Sequence, residues 1–160
     1  MKTAAEIAAR VGRLLVERGW TLGVAESCTG GLIGHCITNV PGSSEFFVGG
    51  VVAYANEVKR DVLGVPQDLL AKHGAVSREA ALAMANGVRE LLGTDIGIAA
   101  TGIAGPAGGT PAKPVGTTFV AVSSSLGNQV RHHLWSSDRA GNKRRSAEAA
   151  LRLLEEWLAR

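Results

Sequence analysis

Aromatic residues make up only 4% of the 160-residue chain, and Tyr54 is its one tyrosine. So few rings leave a core to be built from aliphatic side chains and alanine, and they remove the stacking platforms that nucleic-acid readers use. Cysteine is nearly missing as well. Cys28 and Cys36 are too few for a disulfide framework, and a reducing cytoplasm is the expected setting. No apolar run approaches the length needed to span a bilayer, so no membrane partner is expected. Glu6, Arg10 and Arg13 interrupt the N-terminal stretch MKTAAEIAARVGRLL where a signal peptide would be apolar. No group of His, Cys, Asp and Glu has metal-ligand spacing. His132 and His133 are adjacent and would face opposite sides of a strand. Neither a metal nor a cofactor is therefore expected. Basic blocks are lacking too: the net charge is +3, and the twelve arginines are scattered. That balance suits a small phosphorylated ligand better than nucleic acid.

What is present is an ordinary globular balance, 46% hydrophobic and 19% charged, at a length that fits one domain over residues 1–160. Apolar residues at helical spacing predict a helix over 4–18, with Gly19 as its stop. Residues 22–25 read as a buried strand, 29–38 as a helix and 48–54 as a strand. Asn56 reads as the cap of a helix through Leu63, and Pro66 as the opening of a short one. Ser77 opens a helix to about Leu92. The apolar run 95–100 predicts a strand covered on both faces. A loop follows over 101–116, then a hairpin of 117–123 with 129–135, and a last helix over about 142–158. Helices alternating with buried strands make this an α/β chain of three layers, and the hairpin makes its sheet mixed.

Three stretches carry polar residues where chemistry needs them. The first is VAESCTGGLIG, residues 24–34. A strand that turns into a helix through small residues exposes free N–H groups. Ser27 stands at that turn as a nucleophile with oxyanion donors beside it, or Ser27 and Thr29 merely cap the helix. Cys28 is a rival nucleophile, or packing. The second stretch, GGVVAYANEVKRDVLGV, puts Tyr54 and Lys59 just beyond a strand's carboxyl end, where open α/β sheets bind ligands. A desolvated lysine there is a base for serine; the alternative has Tyr54 in the core and Lys59 on the surface. The third stretch, residues 100–118, is rich in glycine and proline. It is a phosphate or ribose cradle or a long connector, with Thr101 and Gly102 nearest the strand end. Arg139, ahead of the last helix, can aim a guanidinium at a phosphate.

Taken together, ESCTGG, GGVVAYANEVKRDVLGV, GAVSREAALAMANGVREL and TGIAGPAGGTPAKPVGT resemble the CinA C-terminal domain family, in family order over about Thr21 to Leu158. Its members include stand-alone nicotinamide-nucleotide amidases. The resemblance implies a three-layer α/β/α sandwich with a mixed sheet of about five strands. It also implies hydrolysis of the carboxamide of nicotinamide mononucleotide to nicotinic acid mononucleotide and ammonia. In that pattern Ser27 is the nucleophile, Lys59 and Tyr54 assist it, and Thr29, Gly30, Gly31, Thr101, Gly102 and Arg139 bind substrate. Ser137 replaces the glycine of the family's GDR-like motif, so the arginine turn reads SDR here. A homodimer or higher homo-oligomer is expected, partly from the resemblance and partly from the apolar stripes at 80–92 and at Leu151, Leu154 and Leu158. The reading from another class is a non-catalytic nucleotide-binding or competence/damage-response module. A different amide or phosphate hydrolase on the same scaffold is the third.

Overall fold

A computed structural model describes residues 1–160. The chain runs α1 (Ala4–Arg18), β1 (Leu22–Glu26), α2 (Leu32–Thr38), β2 (Phe47–Val52), α3 (Asn56–Asp61), α4 (Gln67–His73), α5 (Arg78–Leu92), β3 (Ile96–Gly102), β4 (Thr117–Ser124), β5 (Gly127–Leu134) and α6 (Arg139–Leu158). One mixed sheet has the order β2-β1-β3-β4-β5. β1 pairs in parallel with β2 and β3, whereas β3, β4 and β5 pair antiparallel. β1, flanked by β2 and β3, is buried throughout and lacks the alternation of a one-sided strand.

Helices cover both faces. Ile7, Val11 and Leu15 of α1 and Leu151, Leu154 and Leu158 of α6 pack with Val24, Ile98 and Val120 of the sheet. On the other face Ala81, Met84, Ala85 and Val88 of α5 pack with Ala25, Ala99 and Ala121. Small residues bring α5 close to the sheet: a Cβ on Gly97 would lie 2.1 Å from the Ala85 carbonyl oxygen. The buried residues of the α5 and α6 stripes thus pack within the chain, while Leu91 of α5 stays 51% exposed. No helix is long and apolar enough to cross a membrane.

Local signals decide where elements start. Thr3 and Glu6 form a capping box at α1, and Gly19 ends it with φ 65°. Ser77 caps α5 through the Ala80 N–H at 3.1 Å. Asp138 caps α6 through the Gly141 N–H at 2.7 Å, so that helix begins at Arg139 and not near 142. Asn56 is the first residue of α3 and not its cap. The hairpin turns at Ser125 and Leu126, and β5 begins at Gly127, two residues earlier than expected. Connections from β1 and from β2 leave on opposite faces, through α2 and α5. The crevice between the carboxyl ends of β1 and β3 is the switch point where such sheets take ligands.

Candidate active site

The turn after β1 sets the first part of the site. Ser27 N–H continues the pairing with β3, donating to the Ala100 carbonyl at 3.0 Å. The chain then turns through Gly30 and Gly31 at φ 61° and 103°, values that favour glycine. α2 therefore begins at Leu32, three residues later than expected. Its first N–H groups are occupied. The buried carboxylate of Glu26 accepts from Gly31 N at 3.1 Å, Ile33 N at 3.1 Å and Gly34 N at 2.9 Å, and from the Thr29 hydroxyl. The expected anion site at this helix start is filled by the protein itself, and Thr29 and Gly31 are turned to Glu26. Gly30 faces the Lys143 amine instead. The Cys28 and Thr29 N–H groups donate to no backbone carbonyl.

Lys59 provides the second part. It is only 1% exposed, which is exceptional for lysine. β2 ends at Val52, two residues earlier than expected. Ala53 and Tyr54 then cross the top of the sheet with their carbonyls aimed at Lys59. Nζ donates to Ala53 O at 2.8 Å and Tyr54 O at 2.9 Å, and lies 2.9 Å from Ser27 Oγ. Three donors of an ammonium match these three acceptors. The two N–H bonds of a neutral amine match the two carbonyls and leave a lone pair for the Ser27 hydroxyl. Both protonation states fit without an orphaned group. Burial holds the Lys59 pKa below the ordinary lysine value.

Cys28 lies beside Ser27 but is chemically muted. Burial, with a smaller contribution from the Glu26 charge, pushes its thiol up to about 11. A protonated thiol is a weak nucleophile at neutral pH.

A cavity of about 280 Å³ opens above Ser27 and Lys59, and Tyr54, Thr101, Gly102 and Arg139 line it too. Tyr54 is 61% exposed. Its phenol oxygen accepts from Arg139 Nη2 at 3.2 Å, while Arg139 Nη1 donates to Gly105 O at 2.7 Å. Arg139 thus clasps Tyr54 to the glycine-rich loop at the mouth of the cavity. It is the main chain of Tyr54, and not the phenol, that touches Lys59. Thr101 donates its hydroxyl to Ala75 O at 2.8 Å, so it ties β3 to the segment before α5. Gly102 is small for packing: a Cβ there would meet Thr118 Oγ1 at 2.6 Å and Cys28 Sγ at 3.2 Å. Of the nine expected site residues, six line one cavity, while Thr29, Gly30 and Gly31 lie outside it.

The CinA C-terminal domain model matches residues 4–158. The chain belongs to the CinA C-terminal domain family. A CinA-like protein of Salinibacter ruber is 52% identical over 141 residues, which cover 88% of this chain and 34% of that protein. A CinA-like protein of Thermotoga maritima is 49% identical over 148 residues, 92% of this chain and 36% of its own length. The chain spans about a third of these curated relatives. Among solved structures, the competence damage-inducible protein A from Klebsiella pneumoniae superposes with a TM-score of 0.95 at 36% identity, covering 99% of this chain and 98% of that one. The competence/damage inducible protein from Agrobacterium tumefaciens gives 0.92 at 37% identity, covering 100% and 98%.

This CinA-family site holds residues that sequence reasoning passed over. Asn142, buried in α6, donates from Nδ2 to Ala104 O at 3.0 Å and accepts from Ser137 N at 3.1 Å, which fixes the start of the loop against the arginine turn. Asn56 lines the cavity from α3. Asn142 shares the buried side of α6 with Ser146, one turn on, before the apolar stripe takes over. Asn56 lay under a capping interpretation that accounted for it without a ligand. Glu26 was hidden by its place at the end of an apolar run.

Proposed function

We propose that this chain is a nicotinamide-nucleotide amidase that hydrolyses the carboxamide of nicotinamide mononucleotide through Ser27. The observation that carries the reading is the buried Lys59 amine, 2.9 Å from Ser27 Oγ and held by two carbonyls. Neutral Lys59 takes the Ser27 proton as Oγ attacks the carboxamide carbon, a serine–lysine version of nucleophile and base. The Cys28 N–H, next to Ser27 on the cavity wall and donating to no backbone carbonyl, is the donor this reading assigns to the oxyanion, such a donor being worth about 3 kcal/mol. Protonated Lys59 then passes its proton to the departing ammonia. Water, activated by the same amine, hydrolyses the ester and restores Ser27.

Substrate groups find partners around the cavity. The Tyr54 oxygen accepts from Arg139, so its O–H is free to donate toward substrate and assist the leaving nitrogen. A phosphate that displaces the Tyr54 phenol from Arg139 Nη2 gains a charge-assisted bond and frees that phenol for the reaction. The α2 start is closed to the phosphate by Glu26, which directs it to the Arg139 end. Self-association rests on the resemblance alone, and a mass by light scattering tests it. The reaction itself is tested by incubating the protein with nicotinamide mononucleotide: ammonia and nicotinic acid mononucleotide should appear in equal amounts. A protein that leaves the substrate intact contradicts the reading.

A further inference from the structure

We infer that Glu26 is a positioning residue that fixes the nucleophile turn from beneath, and this inference rests on Ser27 being the nucleophile. Side chains alternate along β1. Val24 packs with α1 and α6, Ala25 packs with α5, and Glu26 returns to the α2 side. Ser27 then points the other way, to Lys59. One residue thus faces the helix start and the next faces the base.

A buried carboxylate is costly unless its oxygens are matched. No lysine or arginine pairs with Glu26. All its partners are donors from one stretch, Thr29 to Gly34: the Thr29 hydroxyl, Gly31 N and Ile33 N on Oε2, and Gly34 N on Oε1. Those bonds absorb the N–H groups of Gly31, Ile33 and Gly34 and leave out Cys28, which lines the cavity and whose N–H donates to no backbone carbonyl. Glu26 therefore takes up the amides of the helix start and leaves the Cys28 amide available to an oxyanion. Holding Thr29 and Gly31 on one carboxylate also fixes the ψ of the residues between them and Ser27.

Glu26→Gln keeps the shape and removes one acceptor. Its NH2 must face either Gly34 N–H or the three donors on Oε2, and a donor against a donor is repelled. Glu26→Ala removes a fragment equivalent to acetate. The test uses a fluorophosphonate, which forms an Oγ–P bond at Ser27 and expels fluoride while Lys59 takes the hydroxyl proton. It reads the nucleophile without any assumption about the natural substrate. For Glu26→Gln in a folded protein, the maximal labelling rate should fall roughly a hundredfold, as for a small misplacement of reacting groups, with little change in the reagent's KI. Hydrogen exchange at Gly31, Ile33 and Gly34 should quicken. Acetate should restore Glu26→Ala labelling to saturation and leave Glu26→Gln unchanged. Wild-type labelling by Glu26→Gln, unchanged exchange at those amides, or a folded Glu26→Ala protein that acetate does not restore would each overturn the inference. A wild-type protein that labels at Ser27 but releases no ammonia from nicotinamide mononucleotide would contradict the amidase reading and leave the Glu26 inference standing.

Discussion

Lys59 Nζ lies 2.9 Å from Ser27 Oγ across a sequence separation of 32 residues. Two carbonyls hold the remaining donors of that amine, so its lone pair has one direction to face once it is neutral. Cys28, next in sequence, has a thiol raised to about 11 by burial. Cys28→Ala should therefore retain most of the activity. Loss of ammonia release in that variant, with its fold intact by circular dichroism, would move the nucleophile from the hydroxyl to the thiol.

Lys59→Met should lower kcat by roughly 10²–10⁴-fold, the usual contribution of a positioned base, with a smaller effect on KM. The active form is the neutral amine. In wild type, kcat/KM should rise with pH to a plateau, with its inflection below the ordinary lysine pKa of about 10.4. A profile that falls over the same range would show that protonated Lys59 is the working form.

The same depressed pKa makes stability depend on pH. Between the folded value and about 10.4 the unfolded chain holds a proton that native Lys59 has lost. The unfolded state binds more protons there, so stability rises with pH across that window. Below the folded value the cost of the buried charge is present in full. Urea unfolding of wild type and Lys59→Met over a pH series should show the difference between them shifting in favour of wild type as pH rises. A difference that stays constant through the window would contradict a depressed Lys59.

Arg139→Ala should raise KM more than it lowers kcat, because a phosphate grip acts in ground state and transition state alike. Losing a charge-assisted bond costs about 1.5–3 kcal/mol, which corresponds to roughly tenfold to a hundredfold in affinity. Wild type should favour nicotinamide mononucleotide over its dephosphorylated nucleoside, and Arg139→Ala should scarcely distinguish them. An undiminished preference in the variant would place the phosphate elsewhere, with the glycine-rich loop at Gly105 to Gly109 the next position to examine.

How far the sequence discloses this site differs residue by residue. Ser27 and Tyr54 lie just past apolar runs and Lys59 in the helix that follows the second, and strand ends in such sheets converge on one crevice. The periodicities of α1 and α5 gave their spans, since a stripe of apolar residues must be buried against something. Periodicity does not say what covers a stripe, and the α6 leucines proved to face the sheet of their own chain. Glu26 was illegible because its partners are backbone N–H groups, which every residue carries. The clasp of Tyr54 by Arg139 joins residues 85 apart in sequence and depends on where a capped helix begins. Asp138 supplied that cap, yet a helix starting at Arg139 and one starting at Asn142 share the same apolar face.

The most direct measurement is ammonia release from nicotinamide mononucleotide by wild type and by Ser27→Ala at equal protein concentration, both shown to be folded. The account predicts one ammonia per substrate consumed for wild type and background release for Ser27→Ala. Release by Ser27→Ala at the wild-type rate, or none by wild type, would contradict it.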